Sequence, residues 1–343
     1  MNILKSKTNI AKMCVLVVGI IALLFAPVFA DPFTIIMLVR FMYFGLMTIS
    51  FAFLASQLGL ISLMVPSFYA IVAYFIAISH TRELMAMELA IPMAFLVSMS
   101  FAAVSGIMVN RTKAITFLLL TLVLSQLVHS LALSWISLTN GVDGLVGISF
   151  PEWLNIFSDR PDINEFYWAV IAFSITAGLV WLLTKSQYGL KLRGIRESES
   201  RMKALGYNTA MLKWSAFMIA AFVSSVGGLL YIYFMRMVTP EIVTLGASNQ
   251  SLISSILGGI NSVFAGPIIG TVIYLTLNLT LSGFISRYLI LIGLLFLLVI
   301  LFLPNGLISV LESNRIGRVI NRMFIFRKKA GGDDDGKPSG SGS

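Results

Sequence analysis

Thr34-Ile-Ile-Met-Leu-Val-Arg-Phe-Met-Tyr-Phe-Gly-Leu-Met-Thr-Ile-Ser-Phe-Ala-Phe-Leu-Ala-Ser56 carries a single charge, Arg40. A membrane-spanning helix needs about 20 mostly apolar residues, and this stretch supplies them. Runs of the same kind lie at 13–30, 58–79, 86–109, 114–138, 167–184, 214–235 and 287–303. Between the last two, Leu245–Leu281 is less regular: Ser248–Gly259 is rich in Ser and Gly, and Asn261, Gly266 and Pro267 interrupt its second half. It reads as two shorter, partly broken helices, 247–260 and 266–281. The fold class expected is therefore all-α and polytopic, with about ten transmembrane helices. The composition agrees: of 343 residues 58% are hydrophobic and 11% charged, with a mean hydropathy of +0.92. A soluble domain carries about a quarter charged residues. A cytosolic enzyme and a disordered regulator are excluded on that ground, and the lone Cys14 excludes a disulfide-stapled secreted domain.

Basic residues set the expected orientation. With ten crossings and the N-terminus inside, the inner segments hold Lys5, Lys7 and Lys12, then Arg111 and Lys113. They also hold the seven basic residues from Lys185 to Lys213 and the seven from Arg315 to Lys337, so 19 of the 24 lie inside. The reverse topology would translocate those 19, against the positive-inside rule. N-in/C-in is the expectation. The three lysines, the run 13–30 and Val28-Phe29-Ala30 also imitate a secretory signal. That run is longer than the usual apolar region of about 7–15 residues, so it reads as a retained first helix. The net charge of +9 sits beside long apolar runs, which points to membrane lipid and not to nucleic acid as partner. The expected organisation is a transmembrane domain over 1–312, with an outer loop at 139–166 and an inner loop at 185–213. A basic tail and flexible linker, 313–343, would come after it.

Reactive chemistry is sparse. His80 and His129 lie far apart, and no His, Cys or carboxylate cluster has metal-ligand spacing. Gly331–Lys337 imitates a phosphate loop, but Pro338 stands at the Ser/Thr position and three aspartates would repel phosphate. No cofactor is expected in this chain. Buried carboxylates of the kind that proton- or ion-coupled pumps use are missing from the spans, so any transport needs an energy source elsewhere.

Two segments lie outside the expected spans. The inner loop contains Ile195–Leu205, which reads as a short charged helix: Ser198 or Ser200 is near its start, Glu197 and Arg201 are i,i+4 partners, and Gly206 is its stop. It suits either a solvated basic loop on anionic lipid or a rigid docking helix for a cytoplasmic partner. The outer loop Leu138–Phe166 is acidic, with Asp143, Glu152, Asp159, Asp162 and Glu165 against Arg160. Its length suits a lid or a docking surface.

The motifs in and around these segments resemble those of permease subunits of branched-chain amino acid ABC importers, and more narrowly the M-type subunit. Tyr188-Gly-Leu-Lys-Leu-Arg-Gly-Ile-Arg-Glu-Ser-Glu199, Ala204-Leu-Gly-Tyr-Asn208 and Lys213-Trp-Ser-Ala-Phe217 occur at the family's spacing. Leu138-Thr-Asn-Gly-Val-Asp-Gly-Leu-Val-Gly-Ile148, Gly258-Gly-Ile-Asn-Ser-Val-Phe-Ala-Gly-Pro-Ile-Ile-Gly270 and Phe302-Leu-Pro-Asn-Gly-Leu307 are similar to other family motifs. The resemblance implies the translocation subunit of an ATP-driven importer. A second permease subunit, two cytoplasmic ATPase subunits and a periplasmic substrate-binding protein would be its partners, with ATP and Mg on the ATPase. It implies residence in a bacterial inner membrane and no covalent chemistry in this chain. It places Arg196, Glu197, Glu199, Ala204 and Gly206 in the ATPase-facing motif, and Asn140, Gly141, Asp143 and Gly144 toward the binding protein or gate. Departures fall at Gly59–Tyr74, where Met64 and Val72 replace family glycines, and at Ser125–His129, where Gln126 and His129 replace a carboxylate–guanidinium pattern. Both fall on the expected path around Ser62, Ser67, Phe68, Tyr69 and Gln126. The substrate expected is a branched-chain or other small apolar amino acid, with urea and short amides as alternatives. A passive channel for small neutral solutes suits the charge-poor spans as well, and a membrane scaffold is a third class. The broken stretch 247–281 and the glycine-bearing 56–68 region occupy comparable places in the two halves, a position where transporters often build their binding site.

Overall fold

The computed structural model describes residues 31–109, 112, 114–151, 161–284, 288–302 and 306–307. The expected first span 13–30, the tail 313–343 and the outer-loop residues 152–160 lie outside them. Helices α1 (Pro32–Leu58), α2 (Val65–Thr81), α3 (Met87–Val109), α4 (Ala114–Ser134) and the short α5 (Ile136–Thr139) come first. A strand β1 (Leu145–Val146) precedes α6 (Pro161–Lys185), α7 (Gln187–Glu197), α8 (Glu199–Ala204) and α9 (Thr209–Met235). Strand β2 (Met237–Val238) and a 3-10 turn (Pro240–Val243) lead into α10 (Leu245–Gly258), α11 (Ala265–Phe284) and α12 (Tyr288–Phe302).

The protein is a mostly helical, multi-pass membrane protein. Six of the described helices, in α1, α3, α4, α6, α9 and α11, are long and apolar enough to cross a bilayer, and α2 and α12 supply shorter apolar helices. The centre is built from α1 and α9, the most deeply buried of the six, with α2 packed along the other side of α9. Backbones approach closely there: a Cβ on Gly228 of α9 would lie 2.2 Å from the Tyr69 carbonyl oxygen of α2. Hydroxyls bridge the helices at depth. Ser50 Oγ donates to the Ala220 carbonyl (2.6 Å), Ser98 and Ser225 hydroxyls meet at 2.8 Å, and Ser67 Oγ donates to Ser125 Oγ at 3.1 Å. Where lipid cannot drive helices together by the hydrophobic effect, close packing and such bonds do so. The faces of α3, α4 and α12 instead expose Leu96, Val104, Leu119, Val123, Leu294 and Leu298.

The structure corrects several sequence readings. The span expected at 58–79 is interrupted: Gly59, at φ +69°, closes α1 with its N–H on the Ala55 carbonyl, and the chain becomes helical again only at Val65. Glycine permits this left-handed turn, which costs other residues steric strain. The run 114–138 ends as a helix at Ser134 and turns into α5. Helix α6 starts at Pro161, so the loop assigned to 138–166 is shorter, and part of it pairs as β1 with β2. The inner helix read at 195–205 is two helices, because Ser198 is extended (φ −162°, ψ 102°) and caps α8. Glu197 and Arg201 therefore flank a break and are not helical i,i+4 partners.

Candidate coupling site and translocation path

Helix α7 leaves the end of α6 through a cap at Ser186, whose hydroxyl accepts from the Tyr188 N–H at 3.2 Å. Gly189 makes the tight reversal feasible, since a Cβ there would sit 2.4 Å from the Thr184 carbonyl oxygen. Gly189, Leu192 and Ile195 bury one face of α7, so its arginines reach sideways under the bundle. Arg193 donates to Gln57 Oε1 (3.1 Å) and to the Thr184 carbonyl (3.0 Å). Arg196 donates to the Ser56 carbonyl (2.6 Å) and to Asn261 Oδ1 (3.4 Å).

Helix α8 then folds back on α7, Met202 lying over Gly194. Glu199 at its start turns toward the bundle. It pairs with Lys213 of α9, with Lys203 at 3.0 Å, and accepts from Thr209 Oγ1 at 3.3 Å. Partial burial acts to raise the pKa of this carboxyl, but the hydrogen bonds and charges of Lys213 and Lys203 outweigh it and hold it at about 2. The Tyr188 phenol is pushed up by burial, against a hydrogen bond with Ser215 (2.7 Å) that lowers it. Glu197 and Ala204 are exposed, as is Gly206, which lies just past the helix stop at φ +84°. Leu205, Tyr207 and Met211 add exposed apolar surface beside them. The five residues assigned to the ATPase-facing motif thus divide: Glu197, Ala204 and Gly206 face outward, while the Arg196 and Glu199 side chains bind back to the protein.

Among the residues expected on the path, Ser62 and Ser67 are buried in the 59–64 break and the start of α2. The break's polar backbone is met by side chains from three helices. The Leu63 N–H donates to Thr121 Oγ1 (3.2 Å), its carbonyl accepts from Ser248 Oγ (2.8 Å), and the Val65 carbonyl accepts from Ser224 Oγ (2.6 Å). Non-helical backbone is tolerated at membrane depth when protein satisfies it. Ser67 reaches α4 through Ser125, next to Gln126, whose Nε2 is buried with no hydrogen-bond partner. Phe68 and Tyr69 are packed in the aromatic core, Phe68 edge-on to Phe217 at 5.5 Å and Tyr69 against Tyr231 at 5.3 Å. His129, a residue of α4, meets the Pro240 carbonyl at 3.2 Å.

At the opposite end, Asn140 (φ +62°) terminates α5 and donates to the Gly144 carbonyl at 3.0 Å. Gly141 and Gly144 also adopt positive φ, and a Cβ on Gly144 would lie 2.1 Å from the Val238 carbonyl oxygen, so the turn seats directly on β2. Asp143 is exposed at the tip. Sequence reasoning missed the fastenings of this cap: Arg236 pairs with Glu165 at 2.6 Å, and His80 with Ser149 at 2.7 Å. It also missed Arg193–Gln57. The only signals were unassigned charges at span ends. Among the described residues, no three His, Cys, Asp or Glu side chains gather as metal ligands.

The structure is thus a membrane bundle with interrupted helices and an amphipathic helix docked across one end. The family profile "Branched-chain amino acid transport system / permease component" matches residues 33–303, and the chain belongs to that family. It is similar to the high-affinity branched-chain amino acid transport system permease protein LivM of Salmonella typhimurium (26% identical) and of Escherichia coli K12 (25%). Each match runs over 272 residues, 73% of this chain. The chain spans 64% of the length of these relatives. No solved structure matches it.

Proposed function

We propose that this chain is the membrane-spanning subunit of an ATP-driven importer that moves branched-chain or other small apolar amino acids by alternating access. Its α7–α8 end faces the cytoplasm, and with 13–30 counted the chain makes ten crossings, N-in and C-in, in a bacterial inner membrane. A second permease, two ATPases that hold ATP and Mg, and a periplasmic binding protein complete the assembly. The observation that carries the reading is the two-sided α7–α8 unit. One side is hydrogen-bonded into the ends of α1 and α9, and the other presents Glu197, Leu205, Tyr207 and Met211 to a partner. A solvated loop on lipid has no need of such fixed attachment. The names of the curated relatives support the substrate class, and the acidic turn at Asp143 is suited to a soluble external partner.

Gentle detergent extraction through a tag on this chain, with mass spectrometry and reconstitution into liposomes, tests the proposal. Co-purification of a phosphate-loop ATPase and a second permease, with ATP-dependent leucine uptake, is expected. Leucine entry through this chain alone and without ATP would overturn the proposal in favour of a channel.

A further inference from the structure

Two interruptions divide the bundle alike. One runs 59–64 between α1 and α2, the other 259–264 between α10 and α11; each opens on a positive-φ glycine and places a serine three residues on, Ser62 and Ser262. At its start the first break leaves open carbonyls. Gly59 and Leu60 take the Ala55 and Leu54 oxygens, so the Ser56 oxygen has no donor from its own turn. Arg196 supplies that donor at 2.6 Å, a cation at the negative end of a helix. Its stem lies against Gly59, where a Cβ would come within 3.2 Å of Arg196 Cγ. The second nitrogen of the same fork reaches Asn261 in the other break at 3.4 Å. That break is backed in turn by the stretch that follows α12, with the Leu307 N–H on the Leu257 carbonyl at 3.0 Å.

Further along, the breaks are joined again. Ser248, near the start of α10, donates to the Leu63 carbonyl in the first break, and α10 runs down from there to Gly258. The connection is a closed circuit: Arg196 to Ser56, along 59–63 to Ser248, down α10 to Asn261, and back to Arg196. A displacement of α7 therefore loads both breaks for as long as these bonds hold. Arg193, one turn earlier, contacts α1 and α6 but not the second break.

We infer that Arg196 is the positioning residue that transmits movement of the docked α7 helix to both helix breaks at once, and so couples ATP hydrolysis to opening of the path. This rests on the importer reading above and deepens it, because it turns a residue of the ATPase-facing motif inward. A lysine keeps the charge but not the planar fork needed for two acceptors.

The test uses the complex co-purified through this chain and reconstituted in liposomes, with leucine taken up per ATP hydrolysed as the readout. Wild-type complex without ATP-dependent uptake would remove the importer reading itself, and this inference with it. Given active wild type, Arg196→Lys is expected to assemble fully and hydrolyse ATP, with uptake per ATP lowered at least tenfold. Asn261→Ala is expected to lower it severalfold, non-additively with Arg196→Lys. An unchanged ratio in Arg196→Lys overturns the inference. If that variant fails to assemble, Asn261→Ala decides alone: an unchanged ratio overturns the inference, a lowered one supports it.

Discussion

The Arg196 guanidinium donates to the Ser56 carbonyl oxygen across 2.6 Å, joining residues 140 positions apart in the chain. Ser56 is 2% exposed and lies in the last turn of α1, the helix at the centre of the bundle. A helix outside the bundle thereby completes the hydrogen bonding of a helix within it. The two move together unless that bond is exchanged for water. Lys213 and Glu199 repeat the arrangement at the start of α9, so both central helices are held by the same external unit.

Glu199 gives this attachment a pH dependence. Its carboxyl is held at about 2 against an ordinary 4.5, so the stability it contributes is fully present above about 4.5 and is lost as pH falls toward 2. Glu199→Gln should lower the melting temperature at pH 7 by the equivalent of about 1 kcal/mol, a modest value because the carboxylate is partly solvated. Thermal unfolding in detergent, repeated at falling pH, should show the gap between variant and wild type closing below about 4.5.

Glu197 separates docking from stability. It is exposed, so Glu197→Ala should leave melting within about 0.5 kcal/mol of wild type while reducing recovery of the ATPase in pull-downs from native membranes. Equal ATPase recovery would assign the docking surface elsewhere on α7–α8.

The break at 59–64 depends on borrowed hydroxyls. Thr121→Val keeps the volume but strands the Leu63 N–H, and Ser248→Ala strands its carbonyl. Each should cost about 1–3 kcal/mol, read as a lower melting temperature. Ser282→Ala, at an exposed helix position, is the control and should be close to neutral.

Helices α10 and α11 meet backbone to backbone. A Cβ on Gly258 would lie 1.7 Å from the Gly266 oxygen, and one on Gly270 1.8 Å from the Ser254 oxygen. Neither backbone can yield as a flexible side chain would, so Gly258→Ala or Gly270→Ala should cost at least about 3 kcal/mol and reduce the yield of folded protein. Gly178→Ala, with nothing within 4 Å, should be tolerated, measured by size-exclusion profile and melting.

Short windows of sequence encode the spans and some of their ends. Uninterrupted apolar runs mark the spans because the bilayer demands about 20 such residues, and α3, α9 and α11 begin and end close to where those runs place them. Gly206 marks the end of α8 because a left-handed residue closes a helix locally. The irregularity of 247–281 is likewise visible as Gly, Asn and Pro within an apolar stretch. The extent of the break after Gly59, through Met64, is hidden because its residues are as apolar as a helix, and α7 and α8 merge in the sequence because Ser198 can serve equally as interior or cap. Where the polar groups point was settled by packing in three dimensions. Thr121, Ser224 and Ser248 come from three separate helices to serve one interrupted segment, and Arg196 and Glu199 bind inward although they lie on charged helices. A hydrogen bond between residues 140 or 185 positions apart leaves no periodicity in either window of sequence, so only the folded bundle, which brings the partners together, reveals it.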